Sequence, residues 1–166
     1  MSNETDNLVK VHIDLPNHWW FKGESLWAKP LGDDLYEIQN VPFCAYGLNC
    51  GDVVFAKANS PDLKPEIRSV VRRSGQKTLR VFFGDELSEK EEQKPYIEEI
   101  ERMDAWVERA HSTVICINVN ATGDYAAICT YLESLENSVG VEFETCEERI
   151  PGSFDDLPES EDGDSV

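Results

Sequence analysis

The apolar residues of this chain keep one period up to about residue 83 and another beyond it, and that change constrains the fold more than any motif does. In Val9-Lys10-Val11-His12-Ile13-Asp14-Leu15 the alternation is strict, so Val9, Val11, Ile13 and Leu15 share one face of a strand that Pro16 ends. Residues 25–29 and 35–39 flank the turn residues Gly32, Asp33 and Asp34 and predict a hairpin with a short loop. Residues 52–57 follow a turn signal at Gly51 and read as a further strand. Past the loop from Pro61 to Pro65, residues 66–73 and 78–83 flank Ser74-Gly75-Gln76 and read as another hairpin. Several short strands at this spacing predict a curved antiparallel β-sheet or a small barrel.

The second period begins after the acidic residues 85–92. Ser88 followed by Glu91 has the form of a capping box. Pro95 is best tolerated in a first helical turn, which places the firm part of the helix over residues 95–110. Tyr96, Ile100, Met103, Val107 and Ala110 form its apolar stripe. Residues 113–119 read as a buried strand. Residues 120–124 read as the turn and cap of a second helix presenting Tyr125, Ile128, Cys129, Leu132 and Leu135. Residues 141–146 alternate, apolar in and acidic out. With residues 78–83 as its first strand, this half runs strand, helix, strand, helix, strand, a ferredoxin-like succession. The expected class is therefore α+β, with a β-rich half over residues 1–84 and an α/β half over 85–146, continuous in one compact unit. An acidic, disordered tail is expected over 147–166, where eight acids and one base leave little to form a core.

Charge narrows the partners. Thirty-three acids against 15 bases leave a net −18 over 166 residues, a field that repels nucleic acid and anionic membranes and attracts basic proteins. Lys57, Lys64, Arg68, Arg72, Arg73, Lys77 and Arg80 cluster with only Asp62 and Glu66 as acids, so the remainder is more acidic than the total. These bases are expected to pair with carboxylates or to blunt a sheet edge rather than to hold RNA. Charges interrupt every apolar run well short of the roughly 20 residues of a membrane helix. The polar, acidic first seven residues lack the form of a secretory signal. Cys44, Cys50, Cys116, Cys129 and Cys146 are odd in number and show no C-x-x-C spacing, which fits thiols in a reducing compartment, with Cys116 and Cys129 in the core.

Local signatures of chemistry are absent. His12, His18 and His111 lie far apart without metal-ligand spacing, and neither G-x-S-x-G nor a phosphate-cradling glycine loop occurs. No catalytic residue, cofactor or metal is expected, and His12 reads as a solvated histidine on the polar face of its strand. A dispersed active site would reveal itself as a polar, perturbed cluster around His12, His111 or Cys50 inside a pocket. The run His18-Trp19-Trp20-Phe21 cannot be buried entirely and is expected to close one end of the barrel.

Five pieces in order, residues 11–16, 24–28, 40–43, 51–54 and 73–81 with Arg73-Ser74-Gly75 and Thr78-Leu79-Arg80-Val81, resemble a bacterial family catalogued as domain of unknown function 4265. The resemblance implies a bacterial, cytosolic setting and brings no catalytic residues with it. In size and acidity such a chain is similar to the immunity proteins of polymorphic toxin systems. The expected function is accordingly a cytoplasmic immunity protein that neutralises a basic toxin domain, such as a nuclease, of a contact-dependent growth inhibition or Rhs-type system. Its expected contact residues are Asp85, Glu86, Glu89, Glu91, Glu92, Glu98, Glu101, Glu142 and Glu144. The alternative is a regulatory domain that binds a small molecule between sheet and helices.

Overall fold

The computed structural model of the chain describes residues 7–158; the acidic residues 1–6 and residues 159–166 of the expected tail lie outside the described residues. Two compact units form, one from residues 7–73 with 147–158 and one from residues 74–146. The division departs from the expected one in two ways. The boundary falls at Arg73 rather than after residue 84, and residues 147–158 belong to the first unit instead of trailing from the second.

The first unit is a closed five-stranded barrel of β1 (Val9–Asp14), β2 (Gly23–Gly32), β3 (Leu35–Ile38), β4 (Val53–Ala58) and β5 (Pro65–Arg72). Successive strands pair antiparallel, and β5 closes on β1 in parallel at Glu66 and His12. The β2–β3 hairpin turns at Asp33 and Asp34, whose φ values of 57° and 63° are what a tight primed turn demands. Alternation puts Val11, Ile13, Leu26, Ala28, Ile38, Val54, Ala56 and Ile67 inside, as the period-two pattern predicts. Two carboxylates hold the irregular parts. Glu24 of β2 accepts the backbone N–H groups of Phe43, Cys44 and Ala45, so the long β3–β4 loop folds over the barrel with Cys44, Ala45 and Leu48 in the core. Asp155, 6% exposed, accepts the backbone N–H of Asn17 at 2.9 Å and its side-chain amide at 2.8 Å. Phe154 packs on the barrel core and its carbonyl accepts the Tyr46 N–H. A Cβ on Gly47, at φ 74°, would stand 3.1 Å from that of Glu148, so the returning segment needs glycine there. Residues 147–158 are therefore an ordered part of this unit, which corrects the expectation of a disordered tail for that stretch.

The second unit holds β6 (Lys77–Phe82), α1 (Lys90–Glu101), β7 (Ala105–His111), β8 (Val114–Val119), α2 (Tyr125–Val139) and β9 (Glu142–Thr145). Its sheet is ordered β7-β8-β6-β9 with every pairing antiparallel. Leu79 and Val81 of β6 and Ile115, Ile117 and Val119 of β8 share one core with Ile100 of α1 and Ile128, Leu132 and Leu135 of α2, so both helices pack on one face. Asp124 caps α2 through the Ala127 N–H, as its position predicts.

Three local expectations are corrected. Strands β5 and β6 do not form a hairpin: β5 spends its edges on β4 and β1, and β6 on β8 and β9. The helix runs from Lys90 to Glu101, not 95–110, with Pro95 inside it. Its cap is Glu89 with Glu92 in a reciprocal capping box, one residue after the Ser88–Glu91 pair, because Ser88 ends a 3₁₀ turn at Asp85–Leu87. Beyond Glu101, Asp104 takes φ 59° and its carboxylate accepts the Thr122 hydroxyl and the Asn120 amide. This turns the chain into β7, a strand that period alone does not reveal. Buried Gln93 then ties the 3₁₀ turn to the β7–β8 hairpin, donating to the carbonyls of Leu87 (2.8 Å) and Ser112 (2.9 Å).

Candidate functional site

Seven of the nine expected contact residues lie on one continuous segment. Asp85 and Glu86 are exposed in the 3₁₀ turn, and Glu89, Glu91, Glu92, Glu98 and Glu101 are exposed on α1 and its cap. They are not equivalent. Glu89 and Glu92 are engaged in capping, and Glu98 stands 4.0 Å from Lys94. Glu91, Glu98 and Glu101 share a shallow cleft of about 310 Å³ with Lys90, Lys94 and Arg109, so three bases interleave with the acids of the strip there. The last two residues separate. Glu142 is exposed, whereas half-buried Glu144 sits 3.3 Å from the guanidinium of Arg80, itself 1% exposed. Glu144 is thus the counter-ion of a buried arginine and not the outward acid that alternation suggests. Burial, reinforced by the charge of Glu99, raises the Tyr131 hydroxyl above its ordinary value beside this helix.

The basic residues disperse over both units. Lys57 lies 3.9 Å from Asp34, Arg73 3.5 Å from buried Asp52, and Arg68 donates to Asn59. Pairing with neighbours is what the sequence leads one to expect.

The barrel carries a second arrangement that the sequence leaves unmarked. A cleft of about 400 Å³ is lined by His12, Asp14, Asn59, Asp62, Leu63, Lys64 and Glu66. Strand geometry sets a hydroxyl beside two of its lining residues. His12 and Asp14 are two apart on the polar face of β1, and the β1–β2 register sets Ser25 directly opposite His12. The His12 Nε2 lies 2.9 Å from Asp14 Oδ1, its Nδ1 3.3 Å from Ser25 Oγ, and Lys64 Nζ donates to the same Oγ at 3.2 Å. Gly23 makes room for the ring, since a Cβ there would stand 3.0 Å from His12 Cε1. Asn59 donates to Glu66, the β5 residue paired with His12. His12 thus lines a cleft together with polar neighbours.

The aromatic run sits in the β1–β2 loop. His18 is 1% exposed and its Nδ1 accepts the N–H groups of Trp20 and Phe21, folding the loop on itself. Trp20 packs on the barrel core, while Trp19 and Phe21 remain 59% and 51% exposed. The five cysteines stay as thiols, with Cys116 buried and Cys129 packed against the core of the second unit. Among the described residues no helix is long and apolar enough to cross a membrane.

Comparison with known proteins gives two findings. The family model described as "Domain of unknown function (DUF4265)" matches residues 24–143. A solved structure, "Novel crystal structure of a hypothetical protein from Neisseria gonorrhoeae", is similar at a TM-score of 0.67 and 14% identity, covering 84% of this chain and 94% of that one. That likeness concerns the fold alone. No curated protein matches.

Proposed function

The chain belongs to the DUF4265 family, and we propose that it acts as a cytoplasmic immunity protein, docking a basic toxin domain on the acidic strip of its second unit. The observation that carries this reading is the geometry of residues 85–101. Asp85, Glu86, Glu91, Glu98 and Glu101 all reach solvent from one turn and one helix, a rigid support that pre-organises their charge. A net −18 steers such a surface towards a basic partner, and complementary charge discriminates against wrong ones. The second unit is a ferredoxin-like half on this reading, supported by its βαββαβ order and its helices on a single face. A toxin domain of a contact-dependent or Rhs-type system, a basic nuclease above all, is the partner that such an acidic surface fits.

The test is co-expression with the toxic domain encoded beside the chain's own gene. Protection is expected, together with a stoichiometric complex whose association slows as salt rises. The triple variant Glu91→Lys, Glu98→Lys, Glu101→Lys is expected to lose both. Absence of protection, or recovery of the native chain from its own cells without a basic partner, would overturn the proposal.

A further inference from the structure

The polar cluster on the barrel has a direction. The Asp14 carboxylate only accepts, so the His12 nitrogen 2.9 Å from it carries a proton, and when the ring is neutral its lone pair is on Nδ1. An ammonium only donates, so Lys64 gives a hydrogen to Ser25 Oγ, and the Ser25 hydroxyl proton is left to point at Nδ1. Four side chains form one chain of donation, from Lys64 to Ser25 to His12 to Asp14. Such an order aims a hydroxyl at a base and sets a cation beside the attacking oxygen.

We propose that Ser25 is a nucleophile towards small esters that carry a positive charge. The cleft has the volume of a small-molecule site, an apolar wall at Leu63 and three carboxylates, Asp14, Asp62 and Glu66, facing one lysine. That balance favours a cationic ligand. Ser25 Oγ adds to the ester carbonyl as its proton passes to His12 Nδ1, with the Lys64 ammonium beside the attacking oxygen. The C–O bond then breaks and the leaving alcohol takes the proton from Nδ1. Water repeats the sequence on the acyl-serine, its proton going to Nδ1 and then to Ser25, so that a carboxylic acid leaves and the serine is restored. This site belongs to the first unit and the acidic strip to the second, and they share no residue, so either proposal can fail without the other.

The test is covalent labelling of the full chain with a fluorophosphonate bearing a trimethylammonium group, and with its neutral isostere, read by peptide mass spectrometry. One adduct is expected, on Ser25, forming about 100-fold more slowly in His12→Gln. The cationic probe is expected to react about tenfold faster than the neutral one, a preference lost in Asp62→Asn with Glu66→Gln. Lys64→Met, in an exposed loop, gives a second arm should His12→Gln fail to fold, and it too is expected to slow labelling. No adduct on Ser25, or labelling as fast in both variants as in the native chain, would overturn the proposal.

Discussion

The two units use their carboxylates in opposite ways. In the barrel, Glu24, Asp52 and Asp155 turn inward to satisfy backbone N–H groups: three for Glu24, that of Asn49 for Asp52 and that of Asn17 for Asp155. In the second unit most acids from Asp85 to Glu101 turn outward and bond little beyond their own helix. Glu144, bound to buried Arg80, Asp104, which holds Thr122 and Asn120, and Asp124, which caps α2, are exceptions there. A net charge of −18 is therefore not one property. Part of it is a set of staples that the barrel needs in order to close its loops, and part is a surface that the fold could lose without noticing.

Substitution separates the two uses. Glu24→Ala leaves three backbone donors of the β3–β4 loop unsatisfied and is expected to cost about 3 kcal/mol, read from the urea midpoint of the barrel. Asp155→Ala frees Asn17 and the returning segment at an expected cost of about 1–2 kcal/mol, with faster amide exchange at Asn17 and Tyr46. If either change were silent, the inward half of the comparison would fall. By contrast Glu91→Gln, Glu98→Gln and Glu101→Gln are each expected to stay within about 0.5 kcal/mol by thermal unfolding, and a larger loss would make the strip structural.

The smallest effect expected is at Asp104, an exposed acid with an inward role. The Thr122 hydroxyl, then the Asn120 amide, hold its carboxyl below the ordinary carboxylate range. A lowered folded value means that the ionised form is favoured by the fold. Its contribution is complete above the unfolded value and fades as pH falls through the folded one. Asp104→Asn is expected to flatten the acid limb of the stability profile below about pH 4, compared with the native chain.

Where a period belongs to one strand, the residues disclose it. Val11 and Ile13 alternate with His12 and Asp14, and the β2–β3 turn is written in Gly32-Asp33-Asp34. Strand β7 escapes because Met103, Val107 and Ala110 continue the helical spacing of Tyr96 and Ile100, while Ala105 and Val107 also fit a strand. What decides between them is the hold of Thr122 and Asn120 on Asp104, 16 to 18 residues distant, and local propensity does not register it. The same holds for the returning segment, whose acids look solvated until Asn17 is placed beside Asp155. The acidic strip was legible because exposure on a helix follows from period. The cleft was not. His12 and Asp14 are visible as neighbours on one face, but Ser25 meets them only through a cross-strand register spanning an irregular loop, and Lys64 arrives from the β4–β5 loop.

The barrel unit is interrupted by the whole of residues 74–146 before residues 147–158 return to it. During synthesis those inserted residues take roughly 4 to 15 s at the usual 5–20 residues per second. Over that interval Asn17 has left the ribosome and Asp155 has not been made. All residues of the second unit are made first, although it starts later, and the barrel has its Glu24 and Asp52 anchors before those at Asp155 and Phe154 exist. The Asn17–Asp155 and Tyr46–Phe154 bonds therefore form only after every residue of the second unit has been made.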